Sequence, residues 1–573
     1  MNLLISQYLR LLKERDELDA LIPVLFQAMG LVPISHPQIG VRQNGVDVAA
    51  VGIDPSDDVE KLVLAVIKRG DIGRTDWNSG PQSVRQSLDE IFDVYLKNNV
   101  HPEHKILPVS IWVCTSGDLL QAVQENFVGY AKSKEPLASI TFCGKDKLAE
   151  LIGQYLLDEN LFLGNDKKLL RKALVLIGDT DYDLTDYHDL ILSQLKISQT
   201  GEVQLQTAQE FLSALTRIHL ALNIVIAWGI DDGNFKQPLN AAERTLLWAW
   251  HALIKLELSE NEKVIEKYIN IYITYTKISL GYINKSTQHF ITQDGMSRVS
   301  MESALISISI FRQISILSSV GISIINLFAG QSSQTINKDL ETIVNLLKSI
   351  ITNNDASSSP RLDNNSIDID IALIILATTG NIDFAKKWIS KLISKTYYVL
   401  TKKNYYPISS DSLEELAQIE HGTCHDTKLM LEATWMIPSL ANWCVIFDME
   451  DEYNCLRHNV IAPNEKLSPQ LWHPTADTYS AFYFGHHALR KGETEVNIDY
   501  NLILPEMKER LANFAKQERL NIFNFSPALK HGFFSLDILA CKHFRIPVPP
   551  VFIYSLFLHG EKTLEKIQEV QEQ

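Results

Sequence analysis

The chain has 573 residues, of which 46% are hydrophobic and 21% are charged, and its formal net charge is −16. This length exceeds what one hydrophobic core supports, so we expect about two to four domains. The six cysteines are scattered without a CxxC pair, which argues against a disulfide framework and for a cytoplasmic protein. The first 160 residues carry 15 basic and 22 acidic side chains, which argues against a domain that coats nucleic acid by bulk electrostatics.

Residues 1–160 alternate between helical and strand patterns. Apolar residues recur at helical spacing over 3–29, and the nearly continuous apolar run 61–67 predicts a strand that is buried on both faces. In chain order, the patterns predict helix 3–29, strands 46–53 and 61–67, helix 80–96, strand 106–115, helix 119–133, strand 138–143 and helix 145–157. This order predicts an α/β domain in which helices sandwich a mixed sheet.

A short motif precedes the first predicted strand. Gln43-Asn44-Gly45-Val46-Asp47 lies on the turn into that strand, and Lys68 follows Asp47 by 21 residues on the next one. The domain closes with CTSGD at 114–118 and ITFCGKDKLAELI at 140–152. Together with the order of elements, these segments resemble the PD-(D/E)XK nuclease superfamily, in particular its Mrr-type restriction-endonuclease-like domain, over about residues 5–157.

The resemblance implies a metal-dependent site. Hydrolysis of a phosphodiester needs a hard cation that polarises the phosphoryl oxygen, and Mg²⁺ prefers oxygen ligands. By the resemblance, Asp47 and Asp19 are ligands of Mg²⁺ or Mn²⁺; Asp19 lies on the first helix, eleven residues before Gly30. Lys68 is the implied catalytic lysine, whose ammonium group would stabilise developing negative charge.

The sequence departs from this family at one position. The second carboxylate should lie two residues before Lys68, where this chain has Val66, and valine cannot ligate a metal. In some relatives the missing acid lies on a neighbouring helix. Here Glu90, Asp71 and Gln82 are the nearest candidates, and we assign Glu90 to catalysis. The alternative is a binding domain without activity, in which Asp47 and Lys68 are remnants.

The segment 68–79, KRGDIGRTDWNS, combines basic and aromatic residues. Arg69 and Arg74 suit contacts with a nucleic-acid backbone, and an exposed Trp77 would stack on a base. The alternative is that Trp77 packs the loop against the domain.

The rest of the chain has mainly helical patterns. Residues 161–203 predict a connector with a strand-like run at 173–179, and residues 204–353 and 367–573 predict a helical domain and a helical C-terminal domain. The predicted helices are 205–228, 240–257, 260–281, 299–329, 336–352, 368–378 and 382–398, and 372–393 predicts a helix–turn–helix. The polar segment 353–366 predicts a loop or linker. The apolar segment 303–330 predicts a buried helix, because its charge-free part is shorter than the ~20 residues of a membrane span.

These features predict a cytoplasmic, Mg²⁺-dependent nuclease or nuclease-derived protein that acts on nucleic acid, in prokaryotic defence against foreign DNA. The helical region would bind a protein partner or form a homo-oligomer, and we expect no membrane association. Two alternatives remain: a catalytically inactive nuclease-like module, and a helical scaffold for nucleic acid or protein partners. The chain has no GxxxxGK[ST] loop, which argues against ATP-driven translocation.

Overall fold

A computed structural model of the chain describes residues 9–10, 18–34, 44–55, 57–80, 83–152, 155, 164–179, 181–298, 302–328, 334–401, 407–409, 412–423, 433–464, 467–485 and 487–558. The chain forms two compact units. One comprises Met1–Gln194 with Thr216–Pro238, and the other comprises Leu195–Leu215 with Leu239–Gln573.

The first unit contains a mixed sheet, as the sequence predicts, but the sheet has five strands, and its edge strand Val32–Pro33 is not among the predicted ones. Its strands are β1 (Val32–Pro33), β2 (Val48–Asp54), β3 (Val59–Lys68), β4 (Val109–Thr115) and β5 (Ser139–Cys143), and they lie side by side in that order. The β1–β2 and β2–β3 pairs are antiparallel, whereas β3–β4 and β4–β5 are parallel. The three parallel strands therefore end at one edge of the sheet, which we call the carboxyl edge.

Helices cover both faces of this sheet. They are α1 (Asp19–Ala28), α2 (Arg74–Asn78), α3 (Val84–Glu90), α4 (Gln121–Lys134) and α5 (Lys145–Leu151), and Ile91–Asn99 extends α3 with π-helical turns. On one face, Leu64 and Val113 pack with residues of α3 and α4 in one hydrophobic core. On the other face, Phe26 of α1 meets Trp112 edge-on, with ring centroids 5.4 Å apart. The predicted α/β arrangement is confirmed; the helix predicted at 80–96 begins later, at Val84.

The predicted strand-like run 173–179 is wrong. Residues Gly164–Leu176 form a helix, because Leu170, Ala173 and Leu174 recur at helical spacing and are buried on one side of it. Alternation, which a half-buried strand requires, is absent from this run.

The rest of the described chain is mainly helical, as predicted. Its α-helices after the sheet are Gly164–Leu176, Thr185–Leu195, Ala208–Asp231, Lys236–Lys255, Glu262–Ile291, Ser303–Leu327, Gln334–Asn353, Asn365–Thr378, Ile382–Thr401, Leu413–Glu420, Met436–Ile446, Glu450–Cys455, Ala476–Tyr479, Leu504–Phe525, Pro527–Lys530, Ser535–Phe544 and Pro550–Phe557. Ala433–Thr434 pairs with Ser468–Pro469, and Leu471–His473 pairs with Glu493–Glu495.

Two helices in the described residues are long and apolar enough to span a membrane by length and composition alone, Ala208–Asp231 and Ser303–Leu327. The most apolar window of Ser303–Leu327 is 78% buried inside the protein, which agrees with the predicted buried helix. Core helices of this kind pass the same test, so the two helices are weak evidence for a membrane.

The predicted loop at 353–366 connects two helices but is not an exposed linker. Ser357 and Ser358 lie in a 3₁₀ turn and are buried, and the Ser357 carbonyl accepts a hydrogen bond from Trp388 Nε1 at 3.1 Å. After it, Asn365–Thr378 and Ile382–Thr401 form the predicted helix–turn–helix. Local polarity predicted the irregular backbone, whereas burial followed from the helices that pack around it.

Candidate nucleic-acid interface at the carboxyl edge of the sheet

Asp47 lies at the carboxyl edge because β2 runs antiparallel to β3 and begins where β3 ends. Its N–H donates to the Ala65 carbonyl at 2.9 Å, and its Oδ2 accepts from the Ile67 N–H at 2.7 Å. The Asn44-Gly45 turn before it has positive φ at both residues. A Cβ at Gly45 would collide with the Ser87 carbonyl, so this turn fits closely against α3.

Lys68 and Val66 lie on one face of β3, since side chains alternate along a strand. Lys68 is the last residue of β3 and is paired in register with Thr115 of β4. Val66 is fully buried among the apolar side chains of the core under α3 and α4. The position that the resemblance assigns to a second carboxylate is therefore occupied by a valine that packs in the core.

The loops that follow β3 and β4 are held against each other. Ser116 Oγ accepts from the Gly70 N–H at 2.9 Å, and Asp71 Oδ1 accepts from the Asp118 N–H at 2.8 Å. A Cβ at Gly117 would collide with the backbone of Gly70 and Asp71, so only glycine permits this contact. Asp71, a candidate for the migrated acid, thus holds one loop to the other.

Basic side chains gather at the same edge. Arg10 and Lys145 both pair with the Asp118 carboxylate, Arg10 at 3.5 Å. Arg69 and Arg74 are exposed, and Lys68 is half-buried. In the part of the chain that the structure describes, none of these last three forms an ion pair with a carboxylate. No pattern within the loop 68–79 predicts that Arg10 and Lys145 lie at this edge, because both residues are outside that loop in the sequence.

The other predicted acids lie on two different helices. Glu90 is the last residue of α3, one turn beyond Ser87, and Asp19 is the first residue of α1 on the opposite face of the sheet. Gln82 falls outside the described residues.

The acidic side chains near this edge do not fit a divalent cation. Among the described residues, no three His, Cys, Asp or Glu side chains form a group that could hold a metal ion, so Asp19, Asp47 and Glu90 do not form one. The Mg²⁺ or Mn²⁺ site at Asp19 and Asp47 therefore stays a prediction.

The expectation that Trp77 is exposed for base stacking is wrong. Its side chain is only 3% exposed and belongs to the core under α3 and α4. It meets Phe127 and Tyr130 edge-on, with ring centroids 5.8 and 5.9 Å away. Helix α2 turns the indole inward because the aromatic side chains of α4 lie directly beneath it, so the alternative interpretation, packing of the loop, is correct.

Two buried cysteines lie beside the edge. Cys114 and Cys143 are paired in register on β4 and β5. A hydrogen bond with Cys143, burial and the negative charge of Asp47 all raise the pKa of the Cys114 thiol well above its usual value. Cys114 is therefore a neutral thiol at neutral pH, and both side chains are buried in the core.

No family model, curated protein or solved structure matches this chain.

Proposed function

We propose that the sheet domain is a nuclease-like module that binds the phosphate backbone of nucleic acid at its carboxyl edge and does not cleave it. Support for a restriction-endonuclease-like fold comes from the antiparallel β2–β3 pair, the parallel strands β4 and β5 beside it, and the position of Asp47 and Lys68 at one edge.

One observation carries the proposal. Lys68, Arg69 and Arg74 bring three positive charges to one edge with no carboxylate partner among the described residues, while Val66 fills the core at the position of the second acid. Phosphate contacts from lysine and arginine supply most of non-specific nucleic-acid affinity. The net charge of −16 belongs to the whole chain, so a local basic edge is compatible with it.

The test is the binding of fluorescein-labelled duplex DNA, single-stranded DNA and RNA to the full chain, followed by anisotropy. The variant Lys68→Ala/Arg69→Ala/Arg74→Ala should lose binding, since it removes the charges that meet the phosphates. Equal loss in a matched control variant would contradict the proposal.

The matched control removes three exposed lysines elsewhere in the same domain, Lys97, Lys105 and Lys132, each changed to Ala. Lys97 and Lys105 precede β4, and Lys132 lies near the end of α4, about 16 Å along that helix from its first residue. They therefore lie toward the opposite edge of the sheet, and the control makes the same change in net charge.

A second assay addresses cleavage. We expect no cutting of labelled DNA or RNA with Mg²⁺ or Mn²⁺, because Val66 cannot ligate a cation. Cutting that disappears in both Asp47→Ala and Lys68→Ala would refute this part of the proposal and establish the alternative, a metal-dependent nuclease.

A further inference from the structure

A small cavity lies in the second unit, far along the chain from the sheet domain. Ser366 and Asp370 line it from helix Asn365–Thr378, and Ser439 and Asn442 line it from helix Met436–Ile446. Within each pair the residues are three or four apart, so both face the same side of their helix. The space for the centres of water-sized molecules is about 20 Å³. On this measure one water molecule needs about 10–15 Å³, so one group of that size fits.

The cavity presents hydrogen-bond acceptors to which no described residue donates. Asp370 is 5% exposed, and its Oδ1 accepts from Trp443 Nε1 at 2.8 Å and from Ser439 Oγ. No described residue donates to its Oδ2. No described residue donates to the side-chain amide oxygen of Asn442 or to the hydroxyl of Ser366 either. These two residues are 9% and 3% exposed.

Two aromatic side chains form part of the cavity wall. Trp435 and Trp472 both line the cavity. The Trp472 Nε1 donates to the Leu489 carbonyl at 3.0 Å, so its ring faces are what this side chain can offer to a ligand. Indole faces attract cations through the ring quadrupole.

The carboxylate of Asp370 has no cationic partner among the described residues. Arg545 pairs with Asp368 on the same helix, at 2.7 and 3.0 Å, and no described cation pairs with Asp370. Burial, the largest cause, raises the pKa of Asp370 to about 7, and the neighbouring Asp368 raises it further, against hydrogen bonds from Ser439 and Trp443 that lower it. A ligand that brings a positive charge would relieve this cost.

We propose that this cavity binds a primary ammonium group. Three N–H donors would match three acceptors that line the cavity, Oδ2 of Asp370, the amide oxygen of Asn442 and the hydroxyl of Ser366. A water molecule satisfies such acceptors too but leaves the carboxylate charge uncompensated. A quaternary ammonium is too large and has no N–H, and an anion is repelled by Asp370.

The ammonium can come from a small free amine or from a lysine side chain. Isothermal titration calorimetry of the full chain with methylammonium chloride tests the first source, and titration with a lysine tripeptide blocked at both ends tests the second. Sodium chloride and tetramethylammonium chloride at equal ionic strength are the controls. Saturable binding of either amine supports the proposal, and tighter binding of the peptide identifies a side chain as the source.

Three variants decide the assignment. Asp370→Asn should abolish binding, whereas Asp383→Asn, the same change at an exposed position on the next helix, should leave it intact. Asn442→Leu removes one acceptor without touching the carboxylate, and it should weaken binding even if Asp370→Asn fails to fold. No binding of either amine to the wild type, or an equal response to tetramethylammonium, would overturn the proposal.

The pH dependence gives a second readout. Because the ammonium group selects the ionised carboxylate, binding should be about tenfold weaker at pH 6 than at pH 8. Two neighbours of Asp370 do not titrate in this range, because burial raises the pKa of Cys541 and of Tyr554 well above the usual values. A third neighbour, Asp368, is paired with Arg545. Equal affinity at the two pH values would contradict the role of Asp370.

Discussion

The salt dependence of nucleic-acid binding tests whether the carboxyl edge is the contact surface. Lys68, Arg69 and Arg74 have no described carboxylate partner, whereas Arg10 and Lys145 pair with Asp118, so we count three phosphate contacts. Each contact on duplex DNA contributes about −0.9 to the slope of log K against log salt, which gives about −2.7. Affinity should then fall about 40-fold between roughly 50 and 200 mM salt.

The perturbation is Arg69→Ala, which removes one of the three charges that have no described carboxylate partner. The slope should become about −1.8, and the same fourfold rise in salt should cost only about 12-fold in affinity. Anisotropy titrations of a labelled duplex at four or five salt concentrations measure both slopes. Lys132→Ala, toward the opposite edge of the sheet, is the matched control and should keep the wild-type slope.

Two results would refute this reasoning. If Arg69→Ala keeps the wild-type slope, the residue makes no phosphate contact and the edge is not the interface. If Lys132→Ala lowers the slope by the same amount, the effect comes from the net charge of the protein and not from this edge.

Three further predictions concern packing and buried charge. Trp77→Ala should lower the free energy of unfolding by about 3–5 kcal/mol in chemical denaturation, because it empties a buried aromatic site. Gly80→Ala should cost about 1–2 kcal/mol for its positive φ, whereas Gly45→Ala should cost more, since its Cβ also collides with the Ser87 carbonyl. Burial raises the pKa of Asp537 to about 7, so the folded state holds a proton that the unfolded state releases above its ordinary pKa. Stability should therefore fall by about 4 kcal/mol as the pH rises from about 4 to 7, and Asp537→Asn should remove this dependence.

Each of these three predictions would be contradicted by a specific result. A stable Trp77→Ala protein that binds DNA less well would mean that the indole is exposed. Equal costs for the two glycine variants would mean that the turn does not fit tightly against α3. A pH profile of unfolding that is unchanged by Asp537→Asn would mean that this carboxyl is ionised in the folded state near neutral pH.

Local patterns in the sequence were enough to predict four of the five strands of the sheet and most of the described helices up to Thr401. The apolar run at 61–67 predicted a strand that is buried on both faces, because a strand's exposure depends on its own alternation. Asp47 and Lys68 were singled out by the resemblance to a nuclease superfamily, and the structure brings both to the carboxyl edge. The run 173–179 was mistaken for a strand because a short continuous apolar run is typical of a buried strand as well as of a buried helix.

Tertiary structure decided what those residues meet. Trp77 is buried because α4 supplies the aromatic side chains beneath it. The residues 68–79 alone do not predict this contact. Arg10 and Lys145 reach the carboxyl edge from more than 130 residues apart, and the cavity at Asp370 joins two helices about 70 residues apart in sequence. Periodicity depends on near neighbours in the chain, whereas these contacts depend on how whole elements pack, so the sequence alone determined the elements and packing determined the sites.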